Sequence, residues 1–407
     1  MTIRDISTEQ EHATPDLPTG GRVRRRWPVG RIAVGLVALL FFGGPALAGA
    51  AGERSGNIEN RALAPRPSIS DGWEFFPELN KWAIDRLPLR DRAVRANDEV
   101  SEAVFDELPA SAGGKPPVMM GKDGRLFLAD DFGYACRGNE HMADVGANVA
   151  RLGRLIVRAG ATLTTFVAPD KTSIETEQLP GRYPSDTCGN AGKLALRQKL
   201  ASTPPQGYVD LYAPIEDVRR EHGTAYLRYD THWNDYGRIQ FAKVYAGHLD
   251  PALLNGVRTE VGSPQPVLGD LNLLRGRQEK TPIERASLVR PGVTTVAGVQ
   301  TVENTALDVS VSRSTGAPLH PGRTVMIGDS FLHSATPALQ PFFSELVIVA
   351  PTFRKIDAAN LGRLLLTADT VAFEQVERYY YGADAGILST EYLDEVERAI
   401  DAGLAGR

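Results

Sequence analysis

Residues 228–238 read RYDTHWNDYGR and residues 324–331 read TVMIGDSF. Between them they hold the residue types that acyl transfer needs. A serine nucleophile requires an imidazole to take its proton, and the imidazole requires a carboxylate on its other nitrogen. Asp230 and His232 are two apart, so on an extended segment both side chains project to one side. Taken alone, Asp230-x-His232 has three readings: a base with its orienter, half of a metal site, or an ordinary polar loop. The metal reading lacks third and fourth ligands at characteristic spacing, and the chain has no H-E-x-x-H or paired C-x-x-C; no metal is expected. Gly328-Asp329-Ser330 follows the apolar run TVMI, which places Ser330 at a strand-to-helix turn. In an α/β fold that is the sheet edge where sites form. The N–H groups of a helix start there can hold an oxyanion. Asp-Ser is equally a common turn and N-cap pair, so this motif also has an ordinary reading by itself.

The elements that must position these residues alternate between helix and strand. VGANVARLGRLIVRAG (145–160) reads as a helix ending at Gly160, and ATLTTFVAPDK as a buried strand broken at Pro169. YVDLYAPI reads as a short strand, 215–221 as a helix, AYLRYDTHW as extended, and Asp235 to His248 as a helix. RTVMIGDSF, LVIVAP and DTVAFEQV are further strands, and TEYLDEVERAI is a closing amphipathic helix. This alternation predicts an α/β fold with a mostly parallel sheet flanked by helices. Residues 250–322, rich in Gly, Pro and polar residues, read as an irregular insertion with a few β-like pieces.

The N-terminus differs from the rest. Residues 1–31 are polar and then basic, with Arg22, Arg24, Arg25, Arg26 and Arg31, and read as a disordered cytoplasmic segment. The uncharged run 32–51 has the length of a membrane-spanning helix, and the arginines before it predict that everything after it lies outside the cytoplasm. A cleaved signal is the competing reading, since Ala46-Leu47-Ala48 fits a small-residue cleavage pattern. Residues 52–70 read as a linker and 71–407 as the catalytic body. The chain's two cysteines, Cys136 and Cys188, lie in loop-like sequence, and in an oxidising compartment they predict one disulfide. The net charge of −5, without a basic aromatic-interleaved patch, argues against nucleic acid as a partner.

DTHWN followed by GDSF about a hundred residues later resembles the SGNH-hydrolase-like polysaccharide O-acetyltransferases of the AlgX/AlgJ type. ENRALAPRP with FPELNKWAIDRLPLRDR, GKDGRLFLADD, VAPDKTSI and VAFEQVER extend the resemblance sparsely over residues 57–385. It implies a flavodoxin-like SGNH sheet, with Ser330 as nucleophile, His232 as base and Asp230 as its orienter. The order Asp-His-Ser reverses that of ordinary GDSL esterases, and triads are recognised by geometry rather than order. The resemblance implies acetylation of an exported polysaccharide, without a cofactor, from a donor delivered by a membrane-bound O-acyltransferase. Glycine-block and asparagine-block equivalents are not identifiable, so the Ser330 N–H is the one oxyanion donor the sequence names.

Two further residues are substrate-binding candidates: Lys171 in a strand-end loop, and Trp233 beside the histidine as a sugar platform. Each also has an ordinary reading, as a solvated lysine and as a packing tryptophan. Arg378 and Glu374 read as a structural ion pair, and Asn234 as a cap for the next helix. His333 is a rival base only if His232 fails. The same triad would also serve a carbohydrate esterase or deacetylase. A membrane-tethered glycan-binding or assembly protein with a degenerate site is the non-enzymatic alternative.

Overall fold

A computed structural model of the protein describes residues 29–53, 64–90, 92, 93, 96 and 118–406, apart from 138, 184, 276, 302–307, 351–355 and 383–385. Most of the expected disordered segment, its arginine cluster, much of the linker and the Pro/Gly-rich stretch 108–117 lie outside the described residues. Val29–Ala50 is helical with Pro45 inside it. No single described helix is long and apolar enough to cross a membrane. The segments Ala33–Leu40 and Gly43–Ala50 meet that test only together, bent by 41°. Gly43, Gly44 and Pro45 account for the break, because proline lacks the helical N–H and clashes with the preceding turn.

The catalytic-site region begins with a hairpin of β1 (Val118–Met120) and β2 (Leu126–Leu128), turned by Lys122–Gly124 with Asp123 and Gly124 at positive φ. Then follow β3 (Thr162–Ala168), β4 (Tyr208–Val209), β5 (Arg258–Leu268), β6 (Lys280–Val289), β7 (Val293–Thr301), β8 (Asp308–Gly316), β9 (His320–Ile327), β10 (Phe343–Val349) and β11 (Thr370–Val376). Seven of these form one sheet in the order β4-β3-β11-β9-β10-β8-β7, while β5 and β6 pair as a separate antiparallel ribbon. The first five strands of the sheet are parallel. β8 and β7 extend it antiparallel.

The sheet is therefore mixed rather than mostly parallel, and the correction comes from 250–322. That stretch holds the ribbon and the β7–β8 hairpin instead of irregular chain. Antiparallel neighbours need only a short link, so no crossover helix was there to be read. Most residues of β5 are exposed, so it lacks the apolar alternation that marks a strand in sequence. YVDLYAPI is also corrected: only Tyr208–Val209 is strand, and Tyr212–His222 is helix.

The parallel strands carry the core. β11 is buried along its whole length, and β9 and β10 are buried over their second halves. From β9 to β10 the chain moves one strand outward. From β10 to β11 it moves back past β9. Right-handed crossovers then put the intervening helices Ser330–Leu339 and Ala358–Leu365 on opposite faces of the sheet. Phe166, Trp233, Phe241, Tyr245 and Phe331 pack as an aromatic cluster beneath Ser330–Leu339.

Cys136 and Cys188 are joined as a disulfide between the ends of helices Asp130–Ala135 and Asp186–Ser202. The two helices cross closely. A Cβ on Gly192 would lie 2.1 Å from the Ala135 carbonyl oxygen, so only glycine fits. The bridge closes a loop of 52 residues, which constrains the unfolded chain by about 3–4 kcal/mol. Replacing both cysteines with serine is expected to lower the urea-unfolding free energy by that amount while leaving the far-UV circular dichroism unchanged.

Candidate active site

The C-terminal ends of β3, β9 and β11 lie side by side at one sheet edge. β3 runs into Pro169-Asp170-Lys171, β9 into Gly328-Asp329-Ser330, and β11 into Glu377-Arg378. Ser330 is the first residue of helix Ser330–Leu339, with Asp329 as N-cap accepting from the Phe331 N–H at 2.8 Å. The sheet thus delivers the serine, and the helix start provides backbone donors and a positive end beside it.

His232 is delivered by a loop rather than by regular structure. Residues 224–234 fold back on themselves: the Leu227 N–H donates to the His232 carbonyl at 3.1 Å, and the Asn234 N–H to the Ala225 carbonyl at 2.8 Å. Asn234 caps helix Asp235–Leu249 by accepting from Gly237 N at 3.0 Å. The carbonyls of such a loop lack ladder partners, and Lys171 supplies donors for them. Its buried Nζ donates to Leu126 O at 2.7 Å, Leu227 O at 2.6 Å, Arg228 O at 3.0 Å and Asp230 O at 3.1 Å. Burial pushes the Lys171 ammonium down to about 7, against the pull of Glu175. Four converging carbonyls call for the three N–H donors of the ammonium rather than the two of the amine, so the cage favours the charged form. Lys171 is thus a buried strut under the loop, and its sequence reading as a substrate contact is corrected. Glu175 adds to the same support, accepting from Ala225 N and Tyr226 N at 3.2 Å each and pairing with Arg125 at 3.0 Å.

The loop and the sheet edge bring Asp230, His232 and Ser330 together. His232 Nδ1 lies 2.7 Å from Asp230 Oδ1, and its Nε2 lies 2.7 Å from Ser330 Oγ. An ionised carboxylate only accepts, so Nδ1 carries the proton and Nε2 is left to accept the Ser330 hydroxyl hydrogen. Asp230 Oδ1 also accepts from the His232 backbone N–H at 2.8 Å, and Oδ2 from the Asp270 N–H at 3.0 Å. Burial pushes Asp230 upward, but the ring and backbone donors of His232 and the Asp270 N–H together hold it below the usual aspartate range. His232, not the rival His333, is the histidine on Ser330 Oγ.

Asp270 is the acid that the sequence reading does not find. It opens helix Asp270–Leu274 directly after β5 and Gly269. Its Oδ1 accepts from Thr231 N at 2.8 Å, and its Oδ2 accepts from Thr231 Oγ1 and lies 3.5 Å from His232 Nδ1. The one signal in the sequence is Gly-Asp at a strand-to-helix junction, the pattern of Gly328-Asp329. A Cβ at Gly269 would lie 2.0 Å from Tyr229 O, so only glycine lets Asp270 approach the loop. Asp230, His232 and Asp270 offer one ligand atom each within 4.8 Å of one another. Their oxygens and Nδ1 are already engaged in the hydrogen bonds above, so the trio reads as an orienting cluster rather than as a cation site.

Trp233 is fully buried, its ring 5.2 Å from Phe241 and 5.1 Å from Phe331, and its Nε1 donates to Ser334 Oγ at 2.9 Å. It packs helix Ser330–Leu339 onto the loop and is too deeply enclosed to serve as a sugar platform. Arg378 pairs with Asp170 and, at 3.6 Å, with Asp131, rather than directly with Glu374. Glu374 points from the middle of β11 toward Gly328, while Arg378 lies past the strand end toward the terminus of β3. Behind Ser330, Asp329 and Glu374 form a buried carboxyl pair, both pushed upward by burial. Asp329 accepts from Phe331 N at 2.8 Å and Val376 N at 2.7 Å, whereas Glu374 Oε2 accepts from Asp329 N at 3.3 Å. Asp329, with the closer backbone donors, keeps the charge, and Glu374 keeps the proton.

Two tests follow from this arrangement. Lys171→Met removes the donor shared by four carbonyls, of which Arg228 O alone retains the Leu126 N–H, and is expected to cost about 3–5 kcal/mol in urea unfolding. Glu374 is raised in the fold, so its contribution is full below the unfolded value and is lost as pH rises through the folded one. Glu374→Gln keeps the neutral shape. It should match the parent protein at acidic pH and flatten the fall in urea midpoint on the alkaline side.

The family model for the SGNH hydrolase-like domain of the acetyltransferase AlgX matches residues 118–345. The probable alginate O-acetylase AlgJ of Pseudomonas syringae pv. tomato is 27% identical over 154 residues, which is 37% of this chain and 37% of that protein. Its namesake from Pseudomonas aeruginosa is 28% identical over 165 residues, 39% of this chain and 41% of the relative. The chain therefore matches about two-fifths of the length of these curated relatives. The O-acetyltransferase domain of Pseudomonas putida AlgJ superposes with a TM-score of 0.46 at 20% identity, covering 70% of this chain and 100% of that domain. With more than half of its length matched by the family model, the chain belongs to the SGNH hydrolase-like acetyltransferase family typified by AlgX.

Proposed function

We propose that the protein is an extracytoplasmic O-acetyltransferase that acts through a Ser330-His232-Asp230 triad on an exported or cell-envelope polysaccharide. The observation that carries this reading is the unbroken chain of 2.7 Å contacts from Asp230 through His232 to Ser330 Oγ, in a member of the AlgX family. In the first half-reaction Ser330 Oγ attacks the acetyl carbonyl while His232 Nε2 takes the hydroxyl proton. The imidazolium returns that proton to the departing donor oxygen, leaving acetyl-Ser330. In the second half-reaction a sugar hydroxyl gives its proton to Nε2 and attacks the ester, and Ser330 is regenerated. Asp230 stays ionised and stabilises the imidazolium in both halves. The start of helix Ser330–Leu339 supports the oxyanion.

The curated relatives are probable alginate O-acetylases, which makes an alginate-type polymer the first acceptor to test. A membrane-bound O-acyltransferase is the proposed source of the acetyl group. The Cys136–Cys188 bridge supports an oxidising compartment. The basic and then apolar N-terminal segment supports export, as an anchor or as a cleaved signal.

The test is transfer of acetyl from a chromogenic acetyl ester to oligosaccharide acceptors by the purified protein. Ser330→Ala is expected to abolish transfer, and His232→Ala to lower kcat by about 10³–10⁴-fold. Full activity in Ser330→Ala would overturn the assignment. Ester cleavage that ignores every acceptor would identify a hydrolase using the same triad.

A further inference from the structure

Two carboxylates, not one, face the Nδ1 side of His232. Asp230 Oδ1 is 2.7 Å from Nδ1 and Asp270 Oδ2 is 3.5 Å from it. Asp230 accounts for the local geometry of an Asp-x-His segment, but Asp270 arrives from 40 residues further along the chain. Its arrival is built. Gly269 permits its close approach to Tyr229, and the β5–β6 ribbon, whose connection holds Asp270, is fastened to helix Asp235–Leu249. There Arg285 Nε donates to Asp235 Oδ2 at 2.6 Å, and the Tyr236 hydroxyl donates to Glu284 at 2.8 Å. Asp270 then spends both oxygens and its own N–H on the loop. It accepts from Thr231 N and Thr231 Oγ1, and its N–H holds Asp230 Oδ2. Thr231 lies between the two residues of the relay, so these bonds set the angle at which Asp230 and His232 meet.

We propose that Asp270 is a positioning residue for His232: it clamps Thr231 so that the imidazole stays between Asp230 and Ser330, and it supplies a second carboxylate acceptor on the Nδ1 side. The proposal rests on the triad reading above and adds a fourth residue to it. When Nδ1–H turns from Asp230 during a catalytic cycle, the acceptors it meets at 3.5 Å are Asp270 Oδ2 and Thr231 Oγ1, whose own hydrogen is committed to Asp270, so the imidazole keeps the tautomer that leaves Nε2 free for Ser330. The role also couples the site to the ribbon, because displacement of β5 and β6 would carry Asp270 with it.

The experiment measures the rate at which phenylmethanesulfonyl fluoride modifies Ser330, followed by intact mass. It needs neither the natural donor nor the acceptor. The full chain is compared with Asp270→Asn, Asp270→Glu, Asp230→Ala and the Asp230→Ala/Asp270→Asn double variant. Asp270→Asn is expected to slow modification about tenfold, the loss of one charge-assisted contact. Asp270→Glu should recover part of that rate, and the acetyl-transfer kcat should fall with KM unchanged. Asparagine still accepts from Thr231, so the fold is expected to persist, as the urea midpoint will show. The double variant is expected to fall to the rate of His232→Ala, below either single variant. Asp270→Asn reacting at the parent rate overturns the proposal. A rate lowered in the parent background but not in Asp230→Ala overturns the second-acceptor role and keeps the clamp. Failure of Ser330 to react in the unaltered protein overturns the triad reading itself, and with it the role of Asp270.

Discussion

The site depends on one buried cation. The Asp230–His232 pair sits on a loop that belongs to neither the sheet nor a helix, and a loop buried against a sheet edge has carbonyls that nothing in a ladder can satisfy. Lys171 satisfies them by placing one ammonium among Leu126, Leu227, Arg228 and Asp230 carbonyl oxygens. The same contacts tie the β1–β2 hairpin to the loop, since Leu126 N also donates to Arg228 O at 3.0 Å. The hairpin, the end of β3 and the Asp230–His232 loop therefore share a single anchoring charge. Removing it loosens all three at once.

A second layer of buried charge fastens the strand ends beside Ser330. Asp170, Glu377 and Arg378 lie just past the ends of β3 and β11, where Asp131 and Lys193 meet them from helices Asp130–Ala135 and Asp186–Ser202, and Asp170 N–H donates to Glu377 at 3.0 Å. Burial and the neighbouring Asp170 push Asp131 up to about 7, so the surplus acid of this group holds a proton near neutral pH. Arg378 also lies 5.4 Å from the Phe331 ring centre, and the His232 ring lies 4.9 Å from Phe331 on another side. The charge layer, the aromatic residue and the His232 imidazole thus form one continuous packed column. Ion pairs of this kind contribute little net stability compared with an apolar core. Here they hold polar strand ends in register where the chemistry needs unpaired backbone groups.

Much of this was legible before the structure. The apolar runs at the C-terminal ends of β3, β9 and β10 and along all of β11 are buried, and continuous apolar runs of that kind announce themselves. Ser330 at the end of TVMI and Asp230 two before His232 are local patterns, and local patterns survive folding. The 250–322 region was illegible because its strands have wet faces: the β5–β6 ribbon exposes most of its side chains. Lys171 escapes both of its sequence readings, and Trp233 keeps only its packing one, for a related reason. A lysine in a loop and a tryptophan beside an Asp-x-His motif look accessible in a sequence, and only tertiary contacts reveal that one is caged by carbonyls and the other enclosed by Phe241 and Phe331.

The sequence by itself determined the chemistry on offer: a serine at a strand-to-helix turn, an imidazole with a carboxylate two residues away, and strands hydrophobic enough to bury. These depend on spacing of two to four residues, which backbone geometry alone converts into direction. The tertiary structure decided which partners meet across 40 to 100 residues: His232 with Ser330, Asp270 with Thr231, and Lys171 with four carbonyls. It also decided the antiparallel edge of the sheet. Such pairings are set by loop closure and by the mutual satisfaction of buried polar groups. Neither leaves a periodic trace along the chain.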